Sequence, residues 1–428
     1  MVRIMGAGFG SGACSRARRA AAVVPLLVAL LSVSLSTVSV TTAAAAGSGA
    51  LIPWAPESEN PASNGTPVPP AQAMQDAANF NFLTAHAIAY AGEVPAMKQV
   101  NPNLKVFAYM NATFAQTYQG TTFPSQDYSL DAGGHKITNI KSGNFLMDPS
   151  QPDWIQSRIK ECEANVAQSG YDGCFLDLLG AAPLGPTFVT GVPINKATSQ
   201  PWTPNQWLGA TANLAAKVRA AVHATTVYGH PILVFGNGLS NGQQFYSSTA
   251  PSKQLVASLD GCIAEAWLRQ QAAPASWHPT TSQWKQNIQM IIDVEAAGDP
   301  LLVITKLWST ATQAAGDAWR QYALATYLLG TQGQSAFFFS YSYQVSRTTA
   351  LPWYTAAIGT PTAAYAFAPA YTVYERPFTT GLVVVNPDVK SHIVNFPPTH
   401  TYYTLPPAHQ QVTSATMAPG SGLILTTS

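Results

Sequence analysis

The stretch YDGCFLDLLG, residues 171–180, decides how the chain is interpreted, because a short apolar run there ends on a carboxylate, Asp177. The chain repeats the arrangement in LDGCIAEAW, residues 259–267, where alignment on Asp-Gly-Cys sets Glu265 opposite Asp177. Two similar segments therefore place a carboxylate at the same position. This repetition predicts two buried strands that end at a common edge.

Eight short apolar runs follow one another between about residues 50 and 342: 51–55, 79–86, 105–111, 172–177, 231–237, 260–267, 300–308 and 335–341. Helical periodicity fills stretches between them, clearest in 152–170, 204–228, 281–298 and 312–331. Strands that alternate with helices predict right-handed crossovers and a parallel sheet. Eight such units fit a (β/α)8 TIM barrel. The alternative is an open doubly wound sheet, and the lack of GxGxxG after the first run argues against it.

Beyond about residue 360 the pattern changes to short β-like runs broken by Pro, Gly and Asp, such as GLVVVNP and SGLILTT. This sequence pattern predicts a small antiparallel β-sandwich packed on the barrel. We therefore expect three parts: a signal peptide at 1–46, a (β/α)8 catalytic barrel at 47–358 and a C-terminal β-domain at 359–428.

The N-terminus resembles an export signal, because Arg16, Arg18 and Arg19 precede a long apolar run and then TTAAAAGSG. We expect cleavage near Ala46 and a secreted protein, with an uncleaved anchor as the alternative. Removing residues 1–46 takes away four arginines and no acids, which leaves 17 basic and 20 acidic side chains. The resulting small negative charge argues against nucleic acid or anionic lipid as the main partner.

Three cysteines remain after the signal, Cys162, Cys174 and Cys262, and none has zinc-site spacing. Export favours an oxidising compartment, in which one pair can be bridged. Cys162 lies on the apolar stripe of the helix at 152–170, and Cys174 should face the helices if Asp177 faces inward. The sequence leaves two options open: a Cys162–Cys174 bridge or three buried thiols.

Asp177 and Glu265 end the fourth and sixth runs, with one strand between them. Strands lie about 4.8 Å apart, so these two backbones should lie about 10 Å apart or less. Two converging carboxyls at that spacing suit glycoside hydrolysis. The structural alternative is that each acid caps a helix or joins an ion pair. We interpret Asp172 and Asp260, which begin their runs at the opposite barrel end, as caps or ion pairs.

The segment FLMDPSQPDWIQSRIKECEANVAQSGYDGCFLDLLG, residues 145–180, resembles a bacterial group called hypothetical glycosyl hydrolase family 15. In that group an Asp/Asn-Pro turn and a helix lead to G-[FY]-D-G-[VC]-F-L-D. The layout is also similar to the α-galactosidase-like barrels and the endo-α-1,4-polygalactosaminidases. The resemblance covers residues 75–425, roughly, although the specific motifs cover far fewer.

This resemblance implies a barrel hydrolase for α-linked sugars. In the α-galactosidase-like barrels the carboxylate that ends strand four is the nucleophile and the one that ends strand six is the acid/base. Carried over, Asp177 is the nucleophile and Glu265 the acid/base of a retaining mechanism. Related chains often have Asp or Asn after the nucleophile, whereas this chain has Leu178, so a polar partner is missing at that position.

Other strand ends supply polar and aromatic side chains that suit a glycan cleft. We expect substrate binding from His86, Tyr109, Asn111, Asn237, Trp267, Lys306, Trp308 and Tyr341. Each has a structural alternative: a hydrogen-bonded histidine, a turn asparagine, packing tryptophans and a lysine that pairs with an acid. The eight histidines are scattered, which argues against a dedicated transition-metal site, while calcium in a loop stays open. We expect no cofactor.

These features together predict a secreted glycoside hydrolase that acts on an α-linked poly- or oligosaccharide, as a monomer. The alternative from another class is a non-catalytic glycan-binding or cell-surface barrel. It is favoured by the leucine after Asp177, where related chains have a polar residue, and by the small number of polar side chains at the strand ends. Turnover on glycans separates the two.

Overall fold

The computed structural model describes residues 51–56, 66–115, 122–270, 272–308, 312–340 and 356–427. Residues 47–428 form one compact unit. The predicted signal peptide and Tyr341 lie outside the described residues, so those predictions stay open. Among the helices that are described, none is both long enough and apolar enough to span a bilayer.

Eight parallel strands build the first part of the chain. They are β1 (Trp54–Ala55), β2 (Phe82–Ala85), β3 (Lys105–Asn111), β4 (Gly173–Asp177), β5 (Leu233–Gly236), β6 (Gly261–Ala264), β7 (Leu301–Lys306) and β8 (Ala336–Ser340). They pair in chain order, and Pro53 bridges Phe337 so that the last strand meets the first. The predicted closed barrel is confirmed, and closure rules out the open sheet.

The described residues include seven α-helices: α1 (Pro70–Asn79), α2 (Val94–Val100), α3 (Pro152–Ser169), α4 (Pro204–Val222), α5 (Gly242–Phe245), α6 (Thr281–Ala296) and α7 (Gln313–Gly330). Their ends follow from local chemistry. In α3, Pro152 occupies the first turn and Gly170 ends the helix at a φ of 68°. Thr203 and Thr280 form capping boxes that start α4 and α6.

Side-chain alternation along β4 sets the direction of Asp177. Phe175 packs with the barrel interior, whereas Cys174 and Leu176 pack with the helical layer. The predicted parity is therefore confirmed. Gly173 is required because a Cβ there would lie 1.9 Å from the carbonyl oxygen of Leu233 on β5.

A disulfide joins Cys162 of α3 to Cys174 of β4, and Cys262 is a buried free thiol. Of the two options that the sequence left open, the bridge is the one present. It fastens a helix of the outer layer to the strand that carries Asp177.

The C-terminal part is antiparallel, as predicted. Its strands are β9 (Ala366–Ala368), β10 (Val373–Phe378), β11 (Gly381–Asn386), β12 (His392–Asn395), β13 (Tyr402–Thr404), β14 (Gln411–Val412), β15 (Ser414–Met417) and β16 (Ser421–Thr426). Six of them form one sheet, and β12 with β15 forms a second that shares its apolar core. Arg376 donates from Nη1 to the carbonyls of Leu328, Leu329 and Thr331, which docks this part on the end of α7.

Candidate active site

Asp177 is the last residue of β4, and Glu265 directly follows β6. Between these strands lies β5, which Asn237 directly follows. The carboxyl ends of parallel strands share one mouth of a barrel, where enzymes of this architecture hold their catalytic groups. Three neighbouring strands therefore present an acid, an amide and an acid side by side.

Asn237 connects the two acids. Its Nδ2 donates to Oδ1 of Asp177 and lies 3.3 Å from Oε1 of Glu265. Its Oδ1 accepts from the backbone N–H of Leu179 at 3.3 Å. Because the amide oxygen is engaged with an N–H donor, the nitrogen is the end that faces the carboxylates.

This bridge limits the distance between the acids. Oδ1 of Asp177 and Oε1 of Glu265 both contact Nδ2 of Asn237. One contact is 3.3 Å long and a hydrogen bond is no longer than about 3.2 Å, so these two oxygens are at most about 6.5 Å apart. Retaining glycosidases hold their carboxyl groups about 5–5.5 Å apart, and inverting enzymes about 6.5–9.5 Å. The shared contact with Asn237 therefore places the carboxylates of Asp177 and Glu265 close enough to approach one bond together.

Asp177 is held on both oxygens. Tyr109 donates its hydroxyl to Oδ2 at 2.7 Å, and the backbone N–H of Leu178 donates to Oδ1 at 2.8 Å. Leu178 adopts a left-handed φ of 62°, which is uncommon for a residue other than glycine. The polar partner that the side chain of Leu178 cannot provide is thus supplied by its backbone amide and by Tyr109 of β3.

Burial and the nearby negative charge of Glu265 raise the pKa of Asp177 to about 7. The hydrogen bonds from Tyr109, Leu178 and Asn237 act in the opposite direction. Loss of hydration outweighs these donors, because a carboxylate in this setting exchanges water for fewer partners. The pair therefore keeps one proton up to about neutral pH.

Glu265 is the more open of the two acids, with 42% of its side chain exposed. The buried Lys306, which ends β7, lies with Nζ 3.1 Å from Oε2 of Glu265. The same ammonium lies 4.7 Å from the ring centre of Trp308. Trp308 is half-buried and donates from Nε1 to Oγ of Ser340 at 2.7 Å. Lys306 thus pairs with an acid at the rim, beside an aromatic ring.

His86 and Asn111 lie on the β2 and β3 side of the mouth. The ring of His86, just after β2, lies edge-on to Tyr109 with 5.8 Å between ring centres. The side-chain oxygen of Asn111 accepts from the backbone N–H groups of Thr113 and Phe114. Asn111 is therefore occupied in shaping the turn after β3, while His86 stands next to the tyrosine that holds Asp177.

Trp267 does not line the mouth. It is fully buried, its Nε1 donates to the carbonyl of Asn287 on α6 at 3.0 Å, and its ring packs edge-on against Phe337. β6 ends at Ala264, so strand alternation no longer sets the direction of a side chain three residues later. The expectation that Trp267 contacts substrate is corrected: the residue is part of the core.

Two other acids lie at the opposite end of the barrel and are paired, as predicted. Asp172 contacts Lys98, Lys105 and His230. Asp260 contacts Arg219 and His223, at 2.7 and 2.9 Å. These ion pairs give both residues a structural role.

Asp148 also has a local role. Its carboxylate accepts from the backbone and the hydroxyl of Ser150, just before α3. Sequence reasoning missed Ser340, which positions Trp308, and the N–H of Leu178. The Ser340 contact depends on the pairing of β8 with β7, which a single sequence does not reveal.

The sequence profile of the hypothetical glycosyl hydrolase family 15 matches residues 98–382. That range includes both acids, Asn237 and Lys306, and it extends into the C-terminal strands. No curated protein matches the chain.

Solved structures with a similar course of the chain include three carbohydrate-active enzymes. A maltogenic α-amylase from Thermotoga neapolitana is 10% identical, with 89% of this chain and 97% of that chain covered and a TM-score of 0.46. A cycloisomaltooligosaccharide glucanotransferase from Paenibacillus sp. is 10% identical, with 89% and 55% covered and a TM-score of 0.43. An α-galactosidase from Geobacillus stearothermophilus is 9% identical, with 88% and 55% covered and a TM-score of 0.42. This chain thus spans about half the length of the last two, and at such identities their substrates do not transfer to it.

Proposed function

Because the chain belongs to the hypothetical glycosyl hydrolase family 15, we propose that it hydrolyses an α-linked poly- or oligosaccharide with Asp177 and Glu265 as its catalytic pair. The observation that carries the proposal is the amide of Asn237, whose one nitrogen contacts both carboxylates. Two acids that share a donor at a barrel mouth are close enough to act on one glycosidic bond.

In the proposed reaction an oxygen of Asp177 attacks the anomeric carbon. The bond from that carbon to the leaving oxygen breaks, and Glu265 gives its proton to the oxygen. Water then attacks the same carbon, its proton goes to Glu265, and the bond to Asp177 breaks. Two displacements at one carbon retain its configuration.

The contacts of each acid support these roles. Asp177 is fixed by donors on both oxygens, so its attacking oxygen is held in one place. Glu265 is more exposed and lies where a leaving group or water can reach it. The pair keeps a single proton below about pH 7, and the first step requires that proton to lie on Glu265 when Asp177 attacks.

The alternative exchanges the two roles, with Asp177 as the acid/base and Glu265 as the nucleophile, and the charges of the site favour it. The raised pKa of Asp177 and the ammonium of Lys306 beside Glu265 place the shared proton on Asp177. Positive charge that develops at the anomeric carbon favours an ionised Asp177 and returns the proton to Glu265. Identification of the residue that becomes covalently labelled separates the two assignments.

The substrate-binding part of the proposal is centred on Trp308, Lys306, Tyr109 and His86. Trp308 offers an aromatic face beside Glu265. The hydroxyl of Tyr109 and the ring of His86 line the side of Asp177. Sugars stack their apolar faces on such rings and hydrogen-bond to such polar groups. Tyr341 stays in the proposal as a prediction from the sequence.

Export remains part of the proposal, with the signal peptide as its basis. The Cys162–Cys174 disulfide supports it, because structural disulfides are typical of exported proteins.

The experiment is a panel of α-linked oligosaccharides, assayed by the release of reducing ends. The wild type should hydrolyse at least one member, and Asp177→Asn and Glu265→Gln should each lower turnover by about 10³-fold or more. Glu163→Gln on α3 is the control, since it removes an exposed carboxylate and should change nothing. Binding without cleavage by the wild type would favour the non-catalytic glycan-binding barrel.

A further inference from the structure

A pocket opens at the segment that follows Glu265, on the side of α6. It is formed by the segment that follows β6, the start of α6 and the loop that precedes α5. Its lining includes Ala266, Arg269, Trp277, Asn241 and Gln283, and it is partly open to solvent. Ala266 directly follows Glu265 in the chain, so one segment carries both the proposed acid/base and part of the pocket wall.

Arg269 is the unusual member of this pocket. Only 2% of the residue is exposed. Its Nη2 donates to the carbonyls of Ala273 and Pro274, and its Nε to the carbonyl of Gln270, but its Nη1 has no hydrogen-bond partner. Among the described residues no carboxylate forms an ion pair with it. A buried cation normally has an anionic partner, because its dehydration is costly.

The neighbours of Arg269 do not supply a negative charge. Its guanidinium lies 4.4 Å from the ring centre of Trp319, and the ring of His278 stacks on the same tryptophan. Burial lowers the pKa of Arg269 to about 10, so it is still a cation at neutral pH. Burial and the charge of Arg269 lower the pKa of His278 to about 4, so this imidazole is neutral.

The rest of the lining also suits an anion. It carries the side-chain amides of Asn241, Gln243, Gln270 and Gln283, and it contains no Asp or Glu. The amide of Asn287, which also lines it, is engaged with Gly242, Leu268 and Gln283. Gln283 and Asn287 belong to the first two turns of α6, whose N-terminal end adds a partial positive charge. Trp277, 37% exposed, offers a ring to a sugar face at the rim.

We propose that this pocket binds an anionic substituent of the substrate (a carboxylate, sulfate or phosphate group) on a sugar unit next to the one that is cleaved. The proposal rests on the function proposed above in placing that group on a substrate sugar. The anion would pair with Arg269 and accept hydrogen bonds from the amides around it. The preferred substrate is therefore an acidic α-linked glycan rather than a neutral one.

Direct anion binding tests the pocket without any need for turnover. Sodium sulfate, phosphate and acetate are titrated at constant ionic strength into the full chain, with the fluorescence of Trp277 and Trp319 as part of the signal. At least one anion should bind saturably to the wild type. Arg269→Gln should weaken this binding by about 10- to 100-fold, because hydrogen bonds to a charged group contribute about that much to affinity. Arg269→Lys should keep part of it, and Lys217→Gln, an exposed charge on α4, should keep all of it.

A matched pair of sugars links the pocket to the substrate. α-1,4-Digalacturonate and α-1,4-galactobiose differ in the carboxylate at C6, and both are titrated calorimetrically. The wild type should bind the acidic sugar about tenfold or more tightly than the neutral one, and Arg269→Gln should abolish the preference. The three anions show which charged group the pocket selects.

The outcomes of these tests are distinct. Anion binding that needs Arg269, in a protein that cleaves none of the glycans, would support the pocket and refute the hydrolase. Cleavage of neutral glycans with no anion binding would refute the pocket and support the hydrolase. Equal anion binding by wild type and Arg269→Gln would also overturn the inference, and circular dichroism of each variant confirms that it is folded.

Discussion

The hydroxyl of Tyr109 donates to Oδ2 of Asp177 at 2.7 Å, although the two residues lie 68 positions apart in the chain. Their strands, β3 and β4, are adjacent, with Asn111 paired to Asp177 in the register. Tyr109 thus reaches the acid from two residues lower on the neighbouring strand. The catalytic geometry that we propose depends on such contacts across strands.

Asn237→Ala should impair the paired acids without removing either of them. The amide donates to both carboxylates and lowers the pKa of Asp177, so its loss should raise that pKa further. We expect kcat to fall about 10- to 100-fold with little change in KM, and the acidic limb of the pH profile to move to higher pH. Asn205→Ala, an exposed amide on α4, is the control. Lost activity with an unmoved pH profile would indicate a merely structural role.

Asp177→Asn should stabilise the fold most at alkaline pH. The pKa of Asp177 is about 7 in the native state and close to 3.8 when unfolded, so the native protein binds the proton more tightly. Ionisation of Asp177 therefore destabilises the native fold. The full destabilisation is present above pH 7, and it decreases as the pH falls toward 4. We expect the free energy of unfolding to rise by on the order of 2 kcal/mol at pH 8 and by less at pH 5. Thermal unfolding at the two pH values measures the gain. An equal gain at both values would show that Asp177 keeps an ordinary pKa.

Cys162→Ser with Cys174→Ser should lower the free energy of unfolding by about 2–3 kcal/mol, because the bridge closes a short loop in the unfolded chain. The bridge also ties α3 to the strand that carries Asp177. Denaturant unfolding under oxidising and reducing conditions measures the effect. Wild-type protein that loses no stability on reduction would contradict the expectation.

Trp308→Ala should raise KM about tenfold and change kcat little, because the ring is proposed to bind sugar rather than take part in the reaction. Trp308→Phe should restore much of the affinity. Trp267→Phe provides the contrast: it lies in the core and donates to Asn287, so it should lower the melting temperature and leave KM unchanged. A KM effect at Trp267 in place of Trp308 would reverse the two assignments.

Much of the fold was predictable because its signals are local. Apolar runs and helical periodicity predicted the eight strands, and alternation predicted that Phe175 turns inward while Cys174 meets α3. Contacts between strands were not predictable in the same way. Asn237 was expected to bind substrate, but the register of β4, β5 and β6 places its amide between two acids. The direction of Trp267 could not be predicted, since it lies beyond the end of β6.

Covalent trapping tests whether Asp177 is the nucleophile and Glu265 the acid/base. A 2-deoxy-2-fluoro glycosyl fluoride of the sugar that the protein cleaves should leave one sugar attached per chain, because the second displacement becomes slow. Peptide mass spectrometry should locate that sugar on Asp177, and Asp177→Asn should remain unlabelled. Attachment to any other residue, or wild-type turnover by Asp177→Asn, would contradict the account.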